Sequence, residues 1–259
     1  MARYYFVATA LPPLQMGTPP EISFDELMFL LEVNLSSKDL EKVKILRRFY
    51  DVLNIRCMLK GDPFQSHGNM TQQQLDEALH GFNGVPQYIF DFLHKYDSAQ
   101  ERLQNFSELF SAYFKHESAN AKGFLHEFLE FNHHWRLILA ALRAKDLGRD
   151  LLKELQFEDP NDPIVAQLIV QKDASSIEPP DGFEDLKTLY EEHKDNPLGL
   201  MQALLNWNFY RIEDILGVDL FSIDRILGYM AQLSALEKWF ELDKQKGLEF
   251  VDTLVKEPL

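Results

Sequence analysis

The chain has 259 residues and 26 Lys and Arg against 41 Asp and Glu, so its formal charge is −15. That balance argues against bulk nucleic-acid binding and against electrostatic adsorption to anionic lipid, because both need a basic face. A hydrophobic content of 46% fits a packed globular chain, and the single cysteine, Cys57, excludes an intramolecular disulfide and fits a reducing, cytoplasmic compartment.

At the N-terminus, Tyr4-Tyr5-Phe6-Val7 favours β structure, and Pro12, Pro13, Pro19 and Pro20 forbid a continuous helix. Residues 1–22 therefore read as an extended, proline-rich arm laid over a helical body. The apolar stretch Tyr4–Leu11 runs into two prolines with no cleavage signal, so no secretory leader is expected. Nowhere does a run approach the roughly 20 apolar residues that span a bilayer.

From Ser23 onward the period is helical. Ser23-Phe24-Asp25-Glu26 is a capping-box pattern, in which Ser and Glu satisfy amide donors left free at a helix start. Ser36-Ser37 opens a second helix, carried by Leu40, Val43, Leu46, Phe49 and Leu53 and stopped by Gly61. Thr71 caps the next helix, and Pro86 suits the first turn of another. Ser98-Ala99-Gln100-Glu101 is a further capping box. The stretch it opens runs to Gly148, with an interruption near Ser118–Gly123. Leu137, Leu139, Ala140 and Leu142 make its later part apolar on more than one face, which places it centrally.

Residues 173–182, with Pro179-Pro180, read as a linker. Beyond it come a helix at Phe183–His193, one capped by Asn196-Pro197, and a long last helix from Ile223. Cys57 and the aromatic run Trp207, Phe209 and Tyr210 are expected in the core. The chain thus reads as all-α, a bundle of about ten helices. It divides into an arm (1–22), a first helical region (23–172) and an acidic second region (183–259), the two regions being also compatible with one compact domain. Short similarities between 51–61 and 132–145 suggest repeated helical units. Residues 1–153 carry a net −2 and residues 154–259 a net −13, so the C-terminal part is expected to project a negative field that suits a basic partner.

The chemistry-bearing motifs are few. The sequence has no GxxxxGK[ST], GxGxxG or GxSxG pattern, so no phosphate loop or nucleophile elbow is indicated. Glu77-Ala78-Leu79-His80 and Glu130-Phe131-Asn132-His133 are both Glu-x-x-His on helices, the pairing used by di-iron carboxylate bundles. Glu101, Glu108 and Glu117 could complete such a site. With 21 Glu and 8 His in the chain, such pairs also arise by chance. His133 and His134 point about 100° apart on a helix, so with His126 they read as a polar face rather than a zinc site. Arg136, Arg143, Lys145, Arg149 and Lys153 form the densest basic stretch and are the candidates for gripping a carboxylate-rich partner.

The opening Arg3-Tyr4-Tyr5-Phe6-Val7-Ala8-Thr9-Ala10-Leu11-Pro12-Pro13-Leu14, followed by Pro19-Pro20-Glu21-Ile22-Ser23-Phe24-Asp25-Glu26, resembles an uncharacterised bacterial family encoded among V/A-type rotary ATPase genes. Asn54-Ile55-Arg56, Trp135-Arg136-Leu137-Ile138-Leu139 through Lys145, and Ile226-Leu227-Gly228-Tyr229-Met230 through Trp239 are similar in character to the C-type subunit of those enzymes, known in eukaryotes as the d-type subunit. The resemblance implies a non-catalytic, funnel-like helical adaptor without cofactor. It would join central stalk to membrane rotor ring, in the cytoplasm and peripheral to the inner membrane. Against it stand a di-metal carboxylate protein on Glu77, His80, Glu130 and His133, and a helical interaction or assembly protein outside the ATPase.

Overall fold

The computed structural model describes residues 3–256, with side chains described for 3–243; the last residues of the predicted second region, 257–259, lie outside them. The described residues form thirteen α-helices and no strand. In chain order these are α1 (Tyr5–Ala10), α2 (Phe24–Asn34), α3 (Ser37–Lys60), α4 (Gln72–Gly81), α5 (Gln87–Lys95), α6 (Ala99–Gln104), α7 (Phe106–Asn120), α8 (Phe124–Asp146), α9 (Leu151–Glu154), α10 (Pro163–Val170), α11 (Asp185–His193), α12 (Pro197–Ile215) and α13 (Ile223–Lys256).

The helix starts follow the capping chemistry. Ser23 Oγ accepts the Glu26 amide at 3.3 Å while Glu26 Oε2 accepts the Ser23 amide at 2.8 Å. Thr71 with Gln74 and Ser98 with Glu101 form the same reciprocal boxes. Asn196 Oδ1 accepts the Gly199 amide at 3.0 Å, ahead of Pro197 in the first turn. The expected interruption in the long stretch falls between α7 and α8, at Gly123. Its φ of 61° is a left-handed conformation that L side chains rarely adopt. Replacing Ser23 by alanine removes one acceptor for a free amide at the start of α2. A loss of about 1 kcal/mol in chemical denaturation is expected, and an unchanged midpoint would show that the box contributes nothing.

The chain divides into two compact units, Met1–Leu40 with Thr188–Leu259, and Glu41–Lys187. This differs from the division expected at 173–182. That segment belongs inside the second unit, because Ile177 is fully buried, Lys145 Nζ donates to the Ala174 carbonyl at 2.8 Å, and the Gln171 side chain exchanges hydrogen bonds with the Glu178 backbone. Residues 3–22 lie over the helical body as expected, but Tyr5–Ala10 is helical rather than extended. Tyr4–Val7 reads locally as β, yet α1 is helical. The Tyr4 hydroxyl donates to Asp39 Oδ2 at 2.6 Å, the Tyr4 amide donates to the Phe221 carbonyl at 2.8 Å, and Val7 is buried. Further along, the Pro12 carbonyl accepts the Tyr229 hydroxyl at 2.9 Å. Tertiary partners override a β propensity that is worth only about 1 kcal/mol across its whole scale.

In the unit made from the two chain ends, α12 and α13 pack along each other, and α1 and α2 pack on α13. Leu27, Leu31, Ile212, Leu227, Leu233 and Leu236 are its sealed core. Trp207 and Phe209 lie in that core as expected, whereas Tyr210 is exposed. In the middle unit α8 is central, with α7, α9 and α10 against it and α5 on α7. Its core joins Leu109, Tyr113, Leu125, Leu129, Ile138 and Leu168. Cys57 is half-buried rather than sealed. The division also redistributes charge. The terminal unit carries 9 basic and 18 acidic groups, net −9, and the middle unit 17 and 23, net −6. The contrast of −2 against −13 along the sequence is therefore much weaker between the folded units.

Candidate functional site

The residues with ligand and acid–base chemistry converge on one side of α8. His126, Glu130, His133 and His134 occur at steps of four, three and one, spanning an arc of about 100°. Facing them are the end of α7 and the segment between α9 and α10. Ser118 on α7 donates its hydroxyl to Glu130 and lies 3.0 Å from His126 Nδ1. His133 Nε2 is 2.8 Å from Glu158 Oε2, and His134 Nε2 is 3.3 Å from Asp162 Oδ2 and 3.8 Å from Glu130 Oε2. The Ser111 hydroxyl reaches the Phe157 carbonyl at 2.9 Å and so fixes the segment that presents Glu158.

The 100° between His133 and His134 is real, but it does not separate their functions. Glu158 and Asp162, four positions apart, each meet one of the rings, and the rings stack at 6.0 Å. The ligand atoms of Glu130, His134 and Asp162 all lie within 4.8 Å of one another. Sequence reasoning missed Asp162 and chose His133 over His134. Asp162 precedes Pro163 and carried an N-cap signal only; its second oxygen acquires a partner through the return of the chain onto α8.

The predicted di-metal set is not what the structure assembles. Glu77 accepts from Gln73 Nε2 at 2.9 Å and His80 Nδ1 sits 2.8 Å from the Asp76 carbonyl, both on the exposed face of α4. Glu130 and His133 turn to Ser118 and Glu158 instead. The proposed extra donors are engaged elsewhere. Glu101 closes the capping box, Glu108 binds Lys95 at 2.7 Å and Tyr96 at 2.6 Å, and Glu117 binds Arg48 at 2.7 Å.

The basic stretch is also dispersed. The Arg136 guanidinium is clamped over the rings of Phe49 at 4.6 Å and Trp135 at 4.5 Å. Lys145 donates to the carbonyls of Lys172 and Ala174. Arg149 stands 3.6 Å from Glu154, and Arg143 and Lys153 are exposed. These residues do not form one gripping surface, because successive helical positions send them to different neighbours.

Two further features have local explanations. Asp51 is buried and accepts from the Asn69 amide and side chain, both at 2.7 Å. Burial pushes its carboxyl up, against the pull of these bonds and of Arg47. A Cβ at Gly68 would stand 2.6 Å from Asp51 Oδ1, so any larger residue there would have to displace the Asp51 carboxylate from its partners. A shallow groove of about 370 Å³ is lined by Ile55, Met58, Leu59, Phe82 and Phe90. Phe82 is held at a φ of 52° and stacks on His94 at its rim.

On the terminal unit the notable feature is apolar. Helix α2 carries apolar residues on its outer side as well as its buried one, among exposed Asp25, Glu26 and Glu32. It buries Phe24, Leu27, Met28 and Leu31, and it leaves Phe29 71% and Val33 69% exposed, one turn apart.

The geometry defines an all-helical protein with a histidine–carboxylate cluster on one unit and an uncovered apolar helix face on the other. Comparison with known sequences places it. Residues 1–258 match the family described as "Protein of unknown function (DUF2764)", and the chain belongs to that family. A protein of Chlamydia muridarum is 30% identical over 262 residues, covering 99% of this chain and 98% of its own, and one of Chlamydia trachomatis serovar D is 31% identical over 265 residues with the same coverage. Both carry the name "Uncharacterized protein". No solved structure matches.

These matches overturn the resemblance to the C-type component of V/A-type ATPases. The similarity runs along the whole chain to a family of unknown function, with no likeness to that ATPase component in it. The segments that suggested the resemblance explain the error. Ile138, Leu139, Ile226, Leu227, Met230 and Leu236 are buried helix faces, whose aliphatic spacing any packed helix requires.

Proposed function

We propose that this chain is a non-catalytic helical adaptor. It binds protein surfaces through α2 and partners the central stalk and rotor ring of a V/A-type ATPase, on the cytoplasmic side of the inner membrane. The supporting observation is the Phe29–Val33 face. Two large exposed side chains at a four-residue step make a continuous patch rather than scattered singles, and exposed Asp25, Glu26 and Glu32 rim it. No helix among the described residues is long and apolar enough to cross a membrane, which fits peripheral attachment through protein contacts. The net −9 of the unit that carries α2 favours a basic partner surface.

The test is co-migration. Native membranes are extracted in mild detergent, the rotary ATPase is resolved on a native gel, and its band is analysed by mass spectrometry. Near-stoichiometric chain in the intact band is expected. The double variant Phe29→Glu with Val33→Lys should leave that band while keeping its helical circular dichroism. Chain found only with partial complexes would make it an assembly factor. Chain found with neither would place its partner outside the ATPase. The association rate should also fall with added salt.

A further inference from the structure

We propose that Glu130, His134 and Asp162 bind one divalent transition-metal ion of the zinc class in the middle unit. The site is independent of the adaptor reading, which rests on the other unit.

The donor set comes first. One imidazole nitrogen and two carboxylate oxygens, contributed by α8 and by the residue that starts α10, suit a borderline divalent cation better than Mg²⁺ or Ca²⁺, which favour all-oxygen shells. The spacing comes second. His134 Nε2 stands 3.3 Å from Asp162 Oδ2 and 3.8 Å from Glu130 Oε2. Neighbouring ligands around a tetrahedral ion with bonds of about 2.0–2.2 Å are about 3.3–3.6 Å apart. A charge-assisted hydrogen bond would draw the same atoms to about 2.7–2.9 Å. The 3.3 Å separation matches neighbouring ligands around a small ion, and all three ligand atoms lie within 4.8 Å of one another, close enough to contract onto one.

The carboxylates are also held from behind. Asp162 Oδ1 accepts the amides of Ile164 at 2.8 Å and Val165 at 3.1 Å, which leaves Oδ2 directed at His134. Glu130 Oε1 accepts the Ser118 hydroxyl, itself beside His126 Nδ1, which leaves Oε2 directed at His134. Each carboxylate thus gives one oxygen to the fold and keeps one for the site, the arrangement in which outer partners orient metal ligands.

Charge points the same way. Glu130, Asp162 and the nearby Glu158 form no ion pair with a lysine or arginine among the described residues. Each is met by an imidazole instead. A neutral His134 can donate a lone pair to a metal, and a divalent ion would offset the repulsion among the carboxylates. Three protein ligands leave a fourth position for water or for a side chain from a partner.

The experiment uses the full-length chain, stripped with a chelator and titrated with Zn²⁺ by calorimetry near neutral pH. Asp162→Asn keeps a carbonyl oxygen for the α10 cap but loses the anionic ligand, and His134→Gln loses the nitrogen ligand. Glu77→Gln on α4 is the control. One equivalent is expected in the wild type, with affinity lowered at least about tenfold in each site variant and unchanged in the control. Zn²⁺ should raise the unfolding temperature of the wild type but not that of His134→Gln. Less than about 0.2 equivalents bound by the wild type would overturn the site. So would binding that His134→Gln leaves intact, and that variant decides the matter even if Asp162→Asn fails to fold.

Discussion

Glu117→Ala is expected to lower the stability of the chain by about 3–5 kcal/mol. The Glu117 side chain is 3% exposed, and its Oε1 accepts from Arg48 Nη1 at 2.7 Å and from the Tyr88 hydroxyl at 3.1 Å. Burial alone would push the Arg48 guanidinium down, but Glu117 beside it more than reverses that, and the guanidinium titrates above its usual range. Burial, with Glu117 adding to it, pushes the Tyr88 phenol up. Removing the carboxylate strands a largely buried cation and a half-buried hydroxyl at once, and that uncompensated desolvation sets the size of the effect. Urea denaturation of the purified variant measures it. A loss under about 1 kcal/mol would mean that the pair behaves as a surface salt bridge.

Arg136→Met is expected to act in the opposite direction, raising stability by about 1–2 kcal/mol. Arg136 is the same residue type at a superficially similar depth, but no carboxylate pairs with it among the described residues and its Nε is buried without a hydrogen-bond partner. Burial pushes its pKa down to about 10. For a base, a folded-state value below the unfolded one means that the charge is disfavoured by folding. That cost is fully present at all pH below about 10 and is relieved only as pH rises from there toward the ordinary arginine range. The stacking on Phe49 and Trp135 returns part of it, typically about 0.5–2 kcal/mol per contact. Methionine matches the length and keeps contact with both rings through its sulfur. A denaturation midpoint shifted down by more than the equivalent of about 1 kcal/mol would show that the two ring contacts outweigh the desolvation.

Arg136 shows why the densest basic stretch could not be interpreted from its composition. Arg136, Arg143, Lys145 and Arg149 are close in sequence, yet one stacks between aromatic rings, one stands exposed, one holds the 172–174 turn and one meets Glu154. The asparagines of the two similar segments, 51–61 and 132–145, differ for the same reason. Asn54 fastens the 60s loop by exchanging hydrogen bonds with the Gln65 backbone, whereas Asn132 bonds within α8, to Phe128 and Trp135. Like residues in like strings do different work, because their partners come from elsewhere in the chain.

What the sequence by itself determined is whatever depends on neighbours within about one helical turn. Capping boxes at Ser23 and Ser98, the cap at Asn196, the break at Gly123 and the 3.6-residue apolar period are local, and they specify an all-helical chain without reference to the fold. What only the tertiary structure decided depends on contacts far along the chain. Asp39 and Phe221 anchor Tyr4 at the start of α1, the two ends of the chain share one unit, and Asp162 meets His134 rather than being merely a cap. Such pairings bring together residues separated by tens to hundreds of positions. Their free energy comes from burial and from the satisfaction of polar groups at particular places, and a single string of residues carries no record of which distant side chain will be there.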